Sequence, residues 1–457
     1  MKRLISILLI LSTIFLIGCK EENTVEHIAN EPKREEVHIT GVGIDINPFV
    51  IYTLEGLEKI GEEGYPLDAH YKLGNNIDAS ITKSNDYNNG KGFRGIGEYI
   101  DEYEIIFNDI RRYKHKIFSG VFDGNGYEIR NLYINRDSEE GVGLFSVFTG
   151  TIKNLGLVDI EVKGKNKVGG LFGYGGGIVK NSYIKGKVEG IENVGGLAGY
   201  SHRGEIEASY FEGSVKGEDT VGGLVGYHNG QLINSYSEVD VKGEYRVGGL
   251  VGFHFLGDIE GSSSRGLVEG DIFVGGLVGR SNGDTTNTYF KGNVNGTEEV
   301  GGLVGGNTGA ISKSYAQSDV KGNERIGGLA GSNINSSIEK SYSQGTVKGI
   351  NFIGGLVGEN FSGVSKARIK NSYSQSNVEG EEAVGGLVGY NNGLVEFSYW
   401  EINTSKQSES SGGIGKLTSE MYKGSTYEGW DFDEIWTIDG EGYPQLRFLK
   451  GRIEGGN

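Results

Sequence analysis

One short glycine-rich motif, Val-Gly-Gly-Leu-Val-Gly in its fullest form, recurs ten times along this chain. The copies begin at Val142, Val168, Val194, Val221, Val247, Val274, Val300, Ile326, Ile353 and Val384, and the first reads Gly-Leu-Phe in place of Gly-Gly-Leu. The period is 26 or 27 residues in every interval but the last, Ile353 to Val384, which is 31. A fixed period in this range marks a solenoid, because one unit cannot bury its apolar face alone and must stack on its neighbours. Such an array grows along one axis, so a length of 457 residues does not imply several globular domains.

A representative unit runs Val221 to Gly226, a polar corner, Leu232 to Ser237, then Val239 to Gly243. These are three short β-compatible stretches separated by turn residues, with no helical period. Glycine is abundant at 81 residues while proline numbers only 4, which points to turns and close backbone approach rather than low complexity. The expected fold is all-β: a right-handed parallel β-helix of about ten coils with further coils upstream and short caps at both ends. At a rung spacing of ~4.8 Å, ten coils span on the order of 50 Å.

Alternation along a strand orients the columns. Small residues precede a recurring tyrosine at Ser182, Ser209, Ser235, Thr288, Ser314, Ser341, Ser372 and Ser398, and apolar or small ones follow it, so both neighbours point inward. Tyr183, Tyr210, Tyr236, Tyr289, Tyr315, Tyr342, Tyr373 and Tyr399 are then expected to form an external ladder, broken where Ser263 replaces tyrosine. Val162, Val188, Val215, Val241, Val268, Val294, Val320, Val347 and Val378 read as a core column, with charges of both signs in the outer column beside them.

Variation in repeat length falls at the corner after Gly-Leu-Val-Gly, the longest being the corner with Phe361, Lys366 and Arg368. Insertions in a solenoid collect on the face that packing leaves free, often the binding face. His202, His228 and His254 lie in this corner on successive coils, where later coils carry Asn307, Asn333, Asn360 and Asn391. Either a left-handed turn requirement or converging imidazoles explains such a column, but no carboxylate partner for a metal is evident. Tyr200, Arg203, Tyr227, Phe253 and Phe255 sit beside the histidines, and aromatics with polar donors suit a glycan or peptide. The candidate ligand-binding corner is therefore Tyr200, His202, Arg203, Tyr227, His228, Phe253, His254 and Phe255.

The N-terminus reads Met1-Lys2-Arg3, an apolar run from Leu4 to Ile17, then Gly18-Cys19. A basic start and a short apolar run form a secretory signal, too short for a comfortable membrane span. Leu16-Ile17-Gly18-Cys19 resembles the lipobox of bacterial lipoproteins, which implies cleavage before Cys19 and acylation of its thiol and amine. Cys19 is the only cysteine, so no intrachain disulfide is available. A formal charge of −17 argues against nucleic acid as a partner. The partners expected are the membrane through the N-terminal lipid and an extracellular glycan or protein; the location expected is a bacterial cell envelope, lipid-anchored and surface-exposed. No cofactor or metal is expected.

Val-Gly-Gly-Leu-Val-Gly followed by Ile-x-Asn-Ser-Tyr and Val-x-Gly resembles the GLUG repeat of bacterial surface proteins, found in adhesin-like proteins and beside IgA-cleaving metallopeptidases. The resemblance covers about 250 residues and implies a surface-exposed β-helix assigned to adhesion or binding. The peptidase's His-Glu-x-x-His motif is absent, and no Asp pair recurs at adjacent coils, so the chain is not expected to be an enzyme. A polysaccharide-degrading β-helix and a purely structural spacer are the alternatives. The expected organisation is 1–18 signal peptide, 19–45 lipidated cysteine and flexible tether, 46–141 N-terminal cap and first coils, 142–400 repeat β-helix, and 401–457 C-terminal cap. Thr53 and Thr418 are read as caps of short helices, the second with a Leu417/Tyr422 staple and a stop at Gly424, and Trp430, Phe432 and Trp436 as a cover for the last coil.

Overall fold

The computed structural model describes residues 39–107, 110–440 and 442–449. The signal-like segment and Cys19 lie outside them. By contacts the chain divides after Val37, and everything described belongs to the second unit.

The coils stack as a parallel β-helix with three sheets. A representative coil contributes Tyr245–Gly248 to a 9-stranded sheet, Val251–Leu256 and Asp258–Glu260 to a 22-stranded sheet, and Ser263–Glu269 to a 14-stranded sheet. Registers repeat without drift, for example Val221↔Val247↔Val274 and Val241↔Val268↔Val294. Upstream, Phe49↔Tyr71↔Phe122↔Ile152 continues the 22-stranded sheet into earlier coils. The expected tether ends sooner than residue 45, because Ile39–Thr40 already pairs antiparallel with Phe49–Ile51 and covers that edge.

The repeat forms these coils for local reasons. Its leucines from Leu144 to Leu387 and the valine column are buried, at 0% exposure for most. Each such side chain contributes roughly 1.5–3 kcal/mol relative to exposure. The second glycine of the motif sits where backbone meets backbone: a Cβ on Gly223 would lie 1.8 Å from the carbonyl oxygen of Gly249 one coil on. Inside the 14-stranded sheet's corner, each buried serine accepts from the amide of the serine one coil before it, as in Ser182 N to Ser209 Oγ and Ser209 N to Ser235 Oγ, both 3.2 Å. The same hydroxyl donates to the carbonyl two residues earlier, such as Ser209 to Glu207 at 2.8 Å. Two left-handed residues per coil turn the chain: the one before the buried serine (Asn181, Ala208, Asn234) and the one before the motif valine (Asn193, Thr220, Arg246).

The tyrosine ladder stacks as expected, with ring centroids 4.6 Å apart for Tyr210–Tyr236 and 5.0 Å for Tyr342–Tyr373, and breaks at Ser263. It is external to the coils, yet its far half is not exposed. Tyr315, Tyr342, Tyr373 and Tyr399 are at most 4% exposed, because the C-terminal segment lies along the flank over them. Trp436 packs 6.3 Å from Tyr342 and 6.1 Å from Tyr373, while the hydroxyl of Tyr373 donates to Pro444 O at 2.7 Å. Trp436 therefore covers the ladder on earlier coils, while Trp430 does reach the final coil, donating to Phe397 O at 2.9 Å and packing 6.1 Å from Tyr399.

Trp400, Ser410 and an added strand close that end: Ser410 Oγ accepts from Val388 N at 2.9 Å, and Ile414–Lys416 pairs with Tyr399–Glu401. Thr53 caps Leu54–Glu58 through Gly56 N at 3.1 Å. Thr418 does not cap its helix; Leu417 takes the N-cap position of Thr418–Met421, with its amide held by Glu420 at 2.9 Å, and the Thr418 hydroxyl turns to Glu401 and Asn403.

Candidate functional site

The corner expected to be a loop is continuous strand on two coils, Ala198–Glu207 and Val225–Ile233. Strand alternation there separates two columns, one outside and one inside. Outside, the register runs Tyr174↔Tyr200↔Tyr227↔Phe253↔Arg280↔Gly306↔Ser332↔Glu359. The first four make a half-buried aromatic strip. Tyr200 and Tyr227 stack at 4.2 Å with an interplanar angle of 2°, Tyr174 stacks on Tyr200 at 5.4 Å, and Phe253 meets Tyr227 edge-on at 5.6 Å. Burial pushes the Tyr200 phenol up to about 12, helped by the adjoining Tyr227 phenol.

Around the strip lie the exposed His202 and Arg203, Phe255 at 38% exposure and Leu256 at 53%. The left-handed column beside it supplies Arg246, whose guanidinium sits 5.3 Å from the Phe253 ring and is held by Asp219 at 2.7 Å. At the N-terminal end, Tyr99 abuts Tyr174 edge-on at 5.6 Å, is stacked by His115 at 4.6 Å and has Lys167 4.7 Å from its ring. Tyr99 and Tyr174 were not among the sequence candidates. Tyr174 holds the same motif offset as Tyr200 one coil earlier and was legible on that ground; Tyr99 lies before the repeats and was not.

Inside, the column is Ser201↔His228↔His254↔Ser281↔Asn307↔Asn333↔Asn360↔Asn391. This corrects the expected histidine column in three respects. His202 is not in it: it stands eight residues after its motif valine, Val194, where His228 and His254 stand seven after theirs, so it pairs with Asn229 on the next coil, and the bulged Arg203, at a φ of 57°, only follows it. His228 and His254 are completely buried, so neither can touch a ligand at the corner. None of the column's histidines or asparagines has a left-handed backbone, so no turn requirement selects them.

The column is instead a buried polar ladder. Asn307, Asn333 and Asn360 each donate to the next asparagine, at 2.9, 2.8 and 2.7 Å. His254 Nδ1 lies 3.0 Å from Ser281 Oγ, but His228 has no side-chain hydrogen-bond partner and its ring is 6.2 Å from that of His254. Burial, then the neighbouring His254, pushes the His228 imidazole down to about 3; burial pushes His254 down to about 4. Both are neutral at ordinary pH. Among the described residues no three His, Cys, Asp or Glu side chains are grouped to hold a metal ion.

Further along the same outer face the chemistry changes. Glu299, only 9% exposed, is bonded by Ser332 Oγ, and Arg325 lies 3.7 Å from Glu299 and 3.9 Å from Glu359. Burial raises both carboxyls above their ordinary range. This acidic cluster also escaped the sequence reading: Glu299 and Arg325 share the position before the motif's first residue, and Ser332 and Glu359 share the outer column, but residue type changes from coil to coil at both positions, so no recurring acid marks the site.

Comparison with known proteins places residues 322–348 on the family model of the GLUG motif. The chain is 34% identical over 151 residues to halomucin of Haloquadratum walsbyi, a match that takes in 33% of this chain and 2% of halomucin. It is 40% identical over 57 residues to a Gly-rich membrane protein of Evansella cellulosilytica, covering 12% of this chain and 7% of the relative. The chain thus corresponds to a small fraction of either relative's length. A solved structure described as an immunoglobulin A1 protease of Bacteroides ovatus aligns over 90% of this chain and 95% of its own, with 18% identity and a TM-score of 0.34.

Proposed function

We propose that this chain is a non-enzymatic surface protein, held to a bacterial envelope by lipid on Cys19, whose β-helix binds an extracellular glycan or protein through the corner strip. One observation carries the binding reading: four successive aromatics hold one outer register position and remain half exposed. On later coils the same outer column is Gly306 and Ser332, both buried, with Phe273 and Glu299 packed over them. Four rungs of aromatics left open to solvent, where the later stretch is covered by its own side chains, form a surface suited to a ligand. The lipobox-like Leu16-Ile17-Gly18-Cys19 and the membrane description of one relative support the envelope placement.

The acidic cluster is the feature that favours the enzymatic alternative. Ser332 and Arg325 already engage its carboxylates, which suits a structural network better than a reacting pair. Screening the purified protein against glycans and matrix proteins, beside a Tyr200→Ala/Tyr227→Ala/Phe253→Ala variant of unchanged circular dichroism, tests the corner. Binding that the variant abolishes is expected; binding that it retains places the ligand elsewhere. Cys19→Ala is expected to move the protein from the membrane fraction to the soluble one, and retention of full membrane association would remove the lipid from the account.

A further inference from the structure

The aromatic strip does not end at the first repeat. Through Tyr99 it runs into a cleft of about 440 Å³, lined by Arg94, Glu98, Tyr99, Arg136, Glu139 and Glu140. This lies within the ~300–1,000 Å³ of sites that take small organic molecules. Two properties restrict what fits there. First, most of the cleft's charges are matched in pairs: Arg136 Nη1 bonds Glu139 at 3.1 Å, Lys167 bonds Glu140 at 2.6 Å, and Glu98 carries Lys116 at 2.6 Å and Arg94 at 3.5 Å, while the two further charges of the lining, Asp101 and Lys165, are of opposite sign. An ionic ligand would meet no uncompensated partner among these pairs, whereas guanidinium and carboxylate edges offer donors and acceptors together.

Second, the rings of the strip spend their faces on one another. Tyr174, Tyr200 and Tyr227 stack face to face, and Tyr99 has His115 and Lys167 against its ring. What they leave for a ligand is a row of ring edges and phenol hydroxyls, one per rung. That is poor footing for an apolar side chain and good footing for a hydroxyl-rich polymer.

We infer that the cleft and the strip form one track for an uncharged linear glycan, with the chain-terminal sugar in the cleft and the following sugars along the rungs toward Phe253. The inference rests on the corner reading above and adds to it the ligand class and the cleft. Exposed Ser138 at the rim offers a way to fill the cleft without disturbing a coil.

The experiment is titration of the full mature chain with labelled mannan, laminarin and cellulose hexasaccharides, and with an oligogalacturonate as the anionic control. A protein array runs in parallel, and Ser138→Trp and Tyr227→Ala are compared throughout. At least one neutral series is expected to bind, more tightly as it lengthens, and each variant is expected to weaken it at least tenfold with unchanged circular dichroism. If Tyr227→Ala abolishes binding and Ser138→Trp leaves it intact, the cleft is no part of the site and the inference fails while the corner reading stands. Preference for the anionic oligosaccharide, or for a protein ligand lost in Tyr227→Ala, overturns the glycan class in the same way. Binding to none of the probes, glycan or protein, overturns both.

Discussion

Two aromatic ladders climb this β-helix, and they differ in what covers them. The ladder from Tyr289 to Tyr399 is roofed by Trp430, Trp436 and Met421, and its buried hydroxyls are bonded to the roof. The corner ladder from Tyr174 to Phe253 has no such roof among the described residues and stays half exposed. Tyr200 and Tyr227, in the open ladder, stack at 4.2 Å and as nearly parallel as the pairs of the covered one, so stacking alone does not tell a structural ladder from a recognition surface. Recurrence and covering do: one ladder occupies nearly every coil and is sealed over its far half, while the other occupies four coils and is open along its whole length.

The largest expected break in this comparison comes from the roof. Trp436 is completely buried between Trp430 at 4.5 Å and the ladder. Trp436→Ala is expected to lower stability by about 3–5 kcal/mol in denaturant unfolding. Trp436→Phe should cost distinctly less, because the indole nitrogen has no hydrogen-bond partner to lose. Equal losses in the two variants would mean that the roof is not a packing element. If Tyr200→Ala destabilised the chain as much as Trp436→Ala, the distinction between the ladders would collapse.

The interior of the open corner supplies the next test. Unfolded imidazoles take up protons below about pH 6.5, whereas His228 and His254 refuse them until about pH 3 and 4. The unfolded chain therefore binds more protons throughout that window, and stability falls as pH falls through it. The loss is about 2 kcal/mol per histidine at pH 5 relative to neutral pH. His228→Asn/His254→Asn, which carries the asparagine ladder through both coils, is expected to flatten the profile between pH 7 and 5. A variant as acid-sensitive as the parent would assign the slope to other groups.

The open ladder itself should matter little to folding. Tyr200→Ala removes one stacking partner on each side and is expected to cost about 0.5–1.5 kcal/mol beyond the area it exposes. Thermal unfolding measures the cost, and the ligand screen measures the tenfold or greater loss of binding expected from the same substitution. Large destabilisation with unchanged binding would reverse the two roles.

How far these roles could be read from sequence depends on the range of the contacts that set them. The coil, the valine core and the inward serines were legible because the same short-range contacts recur in every repeat, and alternation fixes the face of each residue. The histidine column failed on a single residue: His202 stands one position further from its motif valine than His228 and His254 stand from theirs, so alternation turns it outward, and a count from the motif shows this where residue type alone does not. The roof failed differently. Tyr373 and Pro444 meet across 71 residues through contacts that occur once, so no periodicity announces them.

The smallest effect separates the ladders at the backbone. Ala208 turns the chain at the foot of the tyrosine ladder with a φ of 47°, a conformation in which a Cβ is strained, and its side chain is exposed. Ala208→Gly relieves that strain at the expense of a more flexible unfolded chain, for a net gain of about 0.5–1 kcal/mol. The melting temperature should rise while ligand binding is unchanged, since the substitution sits on the structural side of the coil. A change in binding would mean that the two ladders communicate through the serine column between them; unchanged stability would mean that the turn is strain-free despite its φ.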